Sequence, residues 1–221
     1  MELDELLQRI EPPSVAAASP LDWWRAVRLP GPVCQLRATA DSWDAGVQDV
    51  DAAVDAGATV LLLVQAQPAT LLARALCALF CGTDATAVVP TCATDLAWMR
   101  ECATIRDAMP QARGRLDHLP ALLMEDASLA WTTAAILQAA ARRTPVLASG
   151  ALVSLATLCV ERLAPAAAAW LEVGLADDDP AGLVARDRLG RQPWVTSRVV
   201  LSPSAQSELL RTAAAALDDQ R

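Results

Sequence analysis

The segment that most restricts the fold of this chain is the apolar run TVLLLV at residues 59–64, which the loop QAQPAT and the segment LLARALCALF follow. An all-apolar run of this length is expected for a strand that is covered on both faces, as in a parallel sheet. In a strand–loop–helix unit of this kind, a ligand's phosphate usually lies in the loop, at the amino end of the helix. The loop here contains no glycine. The sequence therefore raises the question of whether the loop is a phosphate site or the remnant of one.

Strand-like and helix-like segments alternate after residue 46. Apolar spacing predicts helices at residues 45–57, 69–80, 94–109, 121–143 and 151–165, and two more within residues 177–193 and 202–219. Strands are predicted at 59–64, 144–149 and 168–176, and the short run at 86–90 is either a strand or a loop. The alternation predicts an α/β protein with three layers, in which helices flank a mostly parallel, Rossmann-like sheet with right-handed crossovers. Residues 1–46 are predicted as a helical segment that packs on the main domain, residues 47–221, with a helix, a Pro-Gly turn and a further helix between residues 21 and 43.

The overall charge argues against nucleic acid and membranes as partners. The chain has 18 Lys and Arg against 26 Asp and Glu, and its net charge of -8 would repel a phosphate backbone. It has no apolar span of about 18 residues and no basic face for a lipid surface. The N-terminal sequence MELDELLQRIEPP is acidic and amphipathic, unlike a signal or transit peptide. We therefore expect a cytoplasmic protein.

Metal binding, cofactor binding and serine hydrolase chemistry are not expected. The only pair of cysteines at helical spacing, Cys77 and Cys81, could form half of a metal site, but the single histidine, His118, is distant in sequence. No G-x-S-x-G motif occurs. The three acids at 177–179 precede a proline and are interpreted as the start of a helix, and the seven tryptophans as core or interface residues. The six cysteines are interpreted as reduced, packed thiols: Cys34, Cys77, Cys81, Cys92, Cys102 and Cys159.

The order of these segments resembles the nicotinate-nucleotide:dimethylbenzimidazole phosphoribosyltransferase family, which acts in the lower-ligand branch of cobalamin synthesis. TVLLLVQAQPATLLARALCALF is similar to that family's apolar strand, G-E-x-G-x-x-N-T-T loop and Ala-rich helix. RRTPVLASGALVSLATLCVERLAP is similar to its G-x-P-V-L-L-D-G-F strand and the helix that follows, and DRLGRQPW to its LG-x-x-P helix end. The resemblance covers about residues 46–217. It implies a phosphoribosyltransferase-like α/β domain at residues 47–221.

The departures from the family pattern fall where the resemblance places its chemistry. In the family, glycines of the loop allow backbone N–H groups to contact the phosphate of nicotinate mononucleotide. Of the loop residues, only Thr70 keeps a hydroxyl group. The strand-end Asp-Gly of the family is Ser149-Gly150 here, and its catalytic glutamate falls on Pro203, which has no titratable group. The other changed positions are Val64, Gln65, Gln67 and the pair Leu71 and Leu72.

The resemblance leaves three hypotheses. The first is a catalytically silent relative that acts as a binding or subunit-partner module, either as a homodimer or as a heteromer with a full-length relative. The second is an active phosphoribosyltransferase that transfers phosphoribose from nicotinate mononucleotide to a benzimidazole-type base. Its candidates for the catalytic base are Glu172 and Asp178, at strand and loop ends, whereas Glu208 would point elsewhere. The third is a sensor that binds a small nucleotide or base in the remnant cleft. The residues predicted to line that cleft are Gln65, Thr70, Ser149, Gly150 and Asp178. Family members are also longer, with additional strands before the unit that starts near residue 46, which predicts a shortened sheet with an exposed edge.

Overall fold

Five parallel strands form one sheet in the part of the chain that the structure describes. The structure is a computed structural model and describes residues 3–13, 20–28, 31–36, 42–65, 67–176, 178–196 and 201–218. The strands lie side by side in the order of the sequence. They are β1 (Val33–Leu36), β2 (Val60–Val64), β3 (Val146–Ser149), β4 (Leu171–Ala176) and β5 (Val195–Thr196). The prediction of an α/β protein with a parallel sheet is confirmed.

Eleven α-helices occur in the described residues, most of them in the connections between strands. Their bounds are α1 (Leu3–Gln8), α2 (Pro20–Val27), α3 (Trp43–Asp55), α4 (Leu71–Cys81), α5 (Asp95–Arg113), α6 (Leu119–Leu123), α7 (Ala127–Ala141), α8 (Ala151–Leu163), α9 (Pro165–Ala168), α10 (Pro180–Leu189) and α11 (Pro203–Asp218). Short 3-10 turns cover Ala85–Val88 and Leu116–His118. None of these helices has the length and apolarity that a membrane span requires.

Helices cover the two faces of the sheet unequally. Because the strands are parallel and in sequential order, right-handed crossovers place the connecting helices on one face. The contacts agree, since α3 packs on α7, α7 on α8, and α8 on α10. The helix α11 contacts β2 and β4. It comes so close to β4 that a Cβ built on Gly174 would lie 2.3 Å from Leu210 Cδ2.

The tryptophans of α2 are core residues that join the N-terminal segment to the C-terminal helix. Trp23 is 4% exposed and donates to the carbonyl of Ala169 over 2.8 Å, whereas Trp24 is fully buried and donates to Asp218 Oδ1, also over 2.8 Å. The guanidinium of Arg28 contacts Asp218 Oδ2 at 3.2 Å. The α2 helix is therefore held against the carboxyl end of α11.

Several helices begin or end at residues with a strong local preference for that position. Gly82 adopts a left-handed conformation after α4, and Gly57 has φ 96° after α3. The hydroxyl of Thr94 caps α5 by accepting from Ala97 N, and that of Ser202 accepts from Ala205 N at the start of α11. These residues stop or start helices because of local backbone preferences, which sequence reports directly.

Two predictions of secondary structure were wrong, and one open alternative is resolved. Residues 33–36 form the strand β1 rather than part of a helix, because pairing with β2 overrides their weak local preference. Of the two alternatives for residues 86–90, a strand or a loop, the structure has no strand, and a 3-10 turn covers Ala85–Val88. The helix predicted at 121–143 is two helices, because α6 ends at Leu123 and Asp126 caps the start of α7. The boundary at residue 46 stays a prediction, and β1, which precedes it, belongs to the same sheet as β2.

Candidate functional site

The carboxyl ends of β2 and β3 meet through their backbones. The N–H of Gln65 donates to the carbonyl of Ser149 over 3.0 Å. Gly150 follows with φ 107°, and a Cβ built there would lie only 2.0 Å from the carbonyl oxygen of Gln65. The glycine is therefore required by this approach of one strand end to the other, without any ligand.

The first turns of α11 cover the end of β3. Ser149 is 3% exposed, and its hydroxyl donates to Gln206 Oε1 over 2.6 Å. The amide of Gln206 donates in turn to the carbonyl of Leu201 over 2.8 Å. Pro203 is the first residue of α11, where a missing N–H leaves no helical hydrogen bond unmade. Ser149 therefore contributes its hydroxyl to a contact within the protein.

A carboxylate lies at the amino end of α4, where the strand–loop–helix unit predicts a phosphate. The hydroxyl of Thr70 accepts from Ala73 N over 3.2 Å and donates to Asp126 Oδ2. The other oxygen of Asp126 accepts from Leu129 N over 3.0 Å and caps α7. One aspartate thus joins the start of α7 to the start of α4. Thr70 is fully engaged within the protein, and its hydrogen-bond partner is negatively charged.

A buried arginine connects α4 to the loop after β4. Arg74 is 5% exposed and forms two hydrogen bonds to Asp179, at 3.0 Å and 2.6 Å. Its Nε also donates to the carbonyl of Ala69 over 3.1 Å. Asp179 caps α10 by accepting from Ala181 N over 2.9 Å. The acidic run at 177–179 therefore includes the start of a helix, as predicted; Asp177 lies outside the described residues, and Asp178 is exposed.

Glu172, one of the two bases considered from the sequence, lies away from this edge of the sheet. It is the second residue of β4 and stands opposite Leu147, toward the amino ends of the strands. Its carboxylate contacts the Arg191 guanidinium at 2.9 Å. Burial raises the pKa of Glu172 above its usual value, and the charge of Arg191 opposes that rise. Glu208 is exposed on α11.

The cysteines are all reduced, and within the described residues the side chains that could bind a metal do not converge. Among the described residues, no three His, Cys, Asp or Glu side chains are placed to hold a metal ion together. No cysteine forms a disulfide, and burial raises the pKa of the Cys159 thiol to about 12. His118 is exposed at the end of a 3-10 turn.

The structure therefore brings together only part of the predicted cleft. Gln65, Ser149 and Gly150 are neighbours at the ends of β2 and β3, whereas Thr70 is joined to Asp126 and Asp178 lies exposed in the next loop.

Three residues that shape this edge were missed by sequence reasoning: Asp126, Gln206 and Arg74. Aspartate is a common N-cap residue, but Asp126 falls inside the single helix that apolar spacing predicts at residues 121–143. The other two act across long sequence separations and leave no local signal.

An open parallel sheet with a strand–loop–helix unit at its carboxyl edge defines a Rossmann-like α/β protein, a class that binds ligands at this edge. Residues 30–218 match a family model described as Phosphoribosyltransferase. The chain belongs to the nicotinate-nucleotide–dimethylbenzimidazole phosphoribosyltransferase family.

Two of the relatives that carry that enzyme's name show the extent of the match. The one from Streptomyces avermitilis is 38% identical over 182 residues, which cover 78% of this chain and 48% of the relative. The one from Mycobacterium ulcerans is 36% identical over 192 residues, which cover 81% of this chain and 52% of the relative. The chain thus spans about half the length of the curated relatives it matches.

A solved structure agrees with the fold. The crystal structure of CobT from Thermus thermophilus superposes with a TM-score of 0.65 at 24% sequence identity. The match covers 80% of this chain and 55% of that chain. At this identity the likeness establishes the fold alone.

Proposed function

We propose that this chain is a member of the family without catalytic activity of its own, which acts as a binding or subunit-partner module related to the activation of the cobalamin lower ligand. The observation that carries the proposal is the carboxylate of Asp126 on the hydroxyl of Thr70, at the amino end of α4. In this family member, an internal anion takes the place of the nucleotide's phosphate.

Electrostatics support this proposal. A phosphate is attracted to a helix amino terminus by exposed N–H groups and by the helix dipole. Two unit charges of like sign about 4 Å apart repel by about 4 kcal/mol near a protein surface. The Asp126 carboxylate would oppose a phosphate by an energy of this order. Pro68 has no N–H group to donate to a phosphate. Val64 and Gln67 stand where the resemblance places glycines, whose lack of a side chain would admit a ligand.

The distribution of carboxylates also supports the absence of a catalytic base. Pro203 occupies the position that the resemblance assigns to the glutamate, and proline cannot accept a proton. Glu172 lies toward the opposite end of β4 and is paired with Arg191. Asp178 and Glu208 are exposed to solvent, and Glu208 Oε2 lies 3.9 Å from Arg211 Nη1 on its own helix.

One edge of the sheet is the candidate surface for a partner subunit. Within the described residues β1 pairs with a strand on one side only. That outer edge is suited to a homodimer or to a heteromer with a full-length relative. Trp23 and Trp24, which the sequence suggested for such an interface, are buried in the chain's own core. The expected compartment is the cytoplasm.

The proposal is tested by activity and by anion binding. The purified chain is incubated with nicotinate mononucleotide and a panel of benzimidazoles, and we expect no release of nicotinate. Asp126→Asn keeps the size of the side chain and its ability to cap α7, but removes the charge. We expect this variant to gain a rise in melting temperature with millimolar inorganic phosphate that the wild type lacks.

Asp117→Asn, at an exposed aspartate in a 3-10 turn, is the matched control and should not gain the phosphate response. Release of nicotinate by the wild-type chain would refute the proposal of a silent member. An equal phosphate response of wild type and Asp126→Asn would refute the role given to Asp126. Light scattering on a size-exclusion column tests the homodimer, and a monomer at high concentration contradicts it.

A further inference from the structure

A polar cavity lies between the end of α1, one face of α3 and the end of α7. Its volume is about 330 Å³, at the lower end of the range for ligand pockets. Gln138, which belongs to its lining, lies twelve residues after Asp126 on α7. The cavity is therefore about 18 Å along that helix from the candidate site, and the proposed function makes no use of it.

Gln138 lies at the base of this cavity and has an oxygen atom that accepts no hydrogen bond. The residue is 1% exposed, and its Nε2 donates over 2.6 Å to Asp51 Oδ1, which belongs to another residue of the lining. Because a carboxylate only accepts, this bond fixes which end of the amide is the oxygen. Within the described residues, no group donates to Gln138 Oε1. Buried polar atoms nearly always have a partner, so this oxygen points to a donor from outside the chain.

The charges around the cavity favour a cation over an anion. The Arg142 guanidinium is already held by two carboxylates of α3, since its Nη1 lies 2.6 Å from Asp51 Oδ1 and its Nη2 lies 2.5 Å from Asp55 Oδ1. Arg9 and Asp44 complete the charged groups, so that three carboxylates face two guanidinium groups. The whole chain carries a net charge of -8, which adds a long-range attraction for cations.

Two carboxylates on one face of α3 have oxygens that are open to a further hydrogen bond. Asp44 and Asp51 are two helical turns apart, about 10 Å along the axis. In the part of the chain that the structure describes, nothing donates to the Asp44 carboxylate or to Asp51 Oδ2. Val47 lies between them in the lining and offers an apolar contact. A carboxylate in the first turn of a helix is favourable by itself, so Gln138 is the residue that marks this face as a ligand site.

We propose that this cavity binds an aliphatic diamine, the simplest kind of polyamine. One ammonium group donates to Gln138 Oε1 at the base, beside Asp51. The other ammonium group donates to Asp44, and the methylene groups between them contact Val47. An ammonium group has three donors and no acceptor, which matches a lining whose open groups are oxygens. A free amino acid fits less well, because its carboxylate would compete with the two that already hold Arg142.

Calorimetric titration of the full chain with putrescine tests the proposal, with 1-aminobutane, β-alanine and sodium chloride compared at equal ionic strength. We expect putrescine to release or absorb heat on binding and to raise the melting temperature, whereas sodium chloride does neither. The affinity for 1-aminobutane should be about tenfold lower, because it has one ammonium group instead of two. Equal responses to putrescine and 1-aminobutane, or no response to putrescine, would overturn the proposal. Tighter binding of β-alanine than of putrescine would overturn the assignment to diamines.

Variants of the lining locate the binding site. Asp44→Asn changes an exposed residue without changing its size and should weaken putrescine binding about fivefold. Asp95→Asn, at an exposed aspartate in the first turn of α5, is the matched control and should leave the affinity unchanged. Gln138→Met removes the buried oxygen at similar size and should weaken binding about tenfold.

The comparison of the two aspartate variants decides the site even if Gln138→Met does not fold. An affinity of Asp44→Asn equal to that of the wild type would overturn the assignment to this cavity. An equal loss in Asp95→Asn would overturn it as well, because putrescine would then respond only to the overall charge of the chain.

Discussion

Replacing Gly150 by alanine should destabilise the protein even though no ligand is involved. Gly150 has φ 107°, a conformation that residues with a side chain rarely adopt. The new Cβ would lie 2.0 Å from the carbonyl oxygen of Gln65, and no rotation of a side chain can relieve a contact between two backbones. One of the two strand ends must therefore move.

The magnitude follows from two contributions. A residue with a Cβ at this φ costs about 1–2 kcal/mol. Separating the Cβ and the oxygen by about 1 Å more disturbs the hydrogen bond from Gln65 N to the Ser149 carbonyl, which contributes about 1 kcal/mol. The sum is about 2–3 kcal/mol, which corresponds to a fall in melting temperature of roughly 4–12 °C for a chain of this size.

Thermal unfolding followed by circular dichroism measures this effect, with Gly190→Ala as the matched control. Gly190 also has a positive φ, 65°, but a Cβ there meets nothing within 4 Å. The control should lose only about 1 kcal/mol from backbone strain. If both variants lose the same stability, the close approach of Gly150 to Gln65 is not the reason for the glycine, and the reasoning fails.

Three further predictions concern buried polar pairs. Because burial raises the pKa of Glu172 from its ordinary 4.5, the wild type loses stability as pH rises from that value through the folded-state pKa. Glu172→Gln should remove this loss, so its unfolding free energy relative to wild type should increase between about pH 4 and pH 7 in urea titrations. Asp218→Ala removes the acceptor of Trp24 and Arg28 and should lower the free energy of unfolding by about 2 kcal/mol. Arg74→Met removes a buried guanidinium from its carboxylate and should cost about 3 kcal/mol, also by urea unfolding.

Each of these has a control in the same chain. Glu125 is exposed, and its hydrogen bond with Arg115 lowers its pKa, so Glu125→Gln should not reproduce the gain with pH. Glu208→Ala, on an exposed face of α11, should change stability by less than about 0.5 kcal/mol. Arg106→Met breaks an exposed ion pair and should likewise have little effect. A loss in any control as large as in its partner variant would contradict the role given to burial.

The sequence alone predicted those elements of the fold whose residue pattern is local. The run at 59–64 predicted β2, and the helices predicted at 94–109 and within 202–219 are capped at their starts by Thr94 and Ser202. The strand β1 could not be predicted in this way, since VCQL is short and lacks a strong preference, and its structure comes from pairing with β2. Pairing with β2 therefore determines the conformation of this segment, whose local propensity favours no single structure.

The candidate site was less predictable than the fold because its decisive contact is not local. Thr70 was identified as the last hydroxyl of the loop, but its partner Asp126 is 56 residues away in sequence. The same holds for Ser149 and Gln206, which are 57 residues apart. A single sequence shows which groups a loop has lost, whereas the groups that have filled the space become visible only in three dimensions.

The order of the strands also has a consequence for synthesis on the ribosome. Connecting helices can shield one side of the sheet as soon as each strand has been made, but α11 contributes to the other side only when residues 203–218 have been translated. At roughly 5–20 residues per second, Leu62 and Leu147 are made several seconds before that helix. Until then, a nascent chain of this family member carries an apolar surface on that side of the sheet, to which a chaperone can bind.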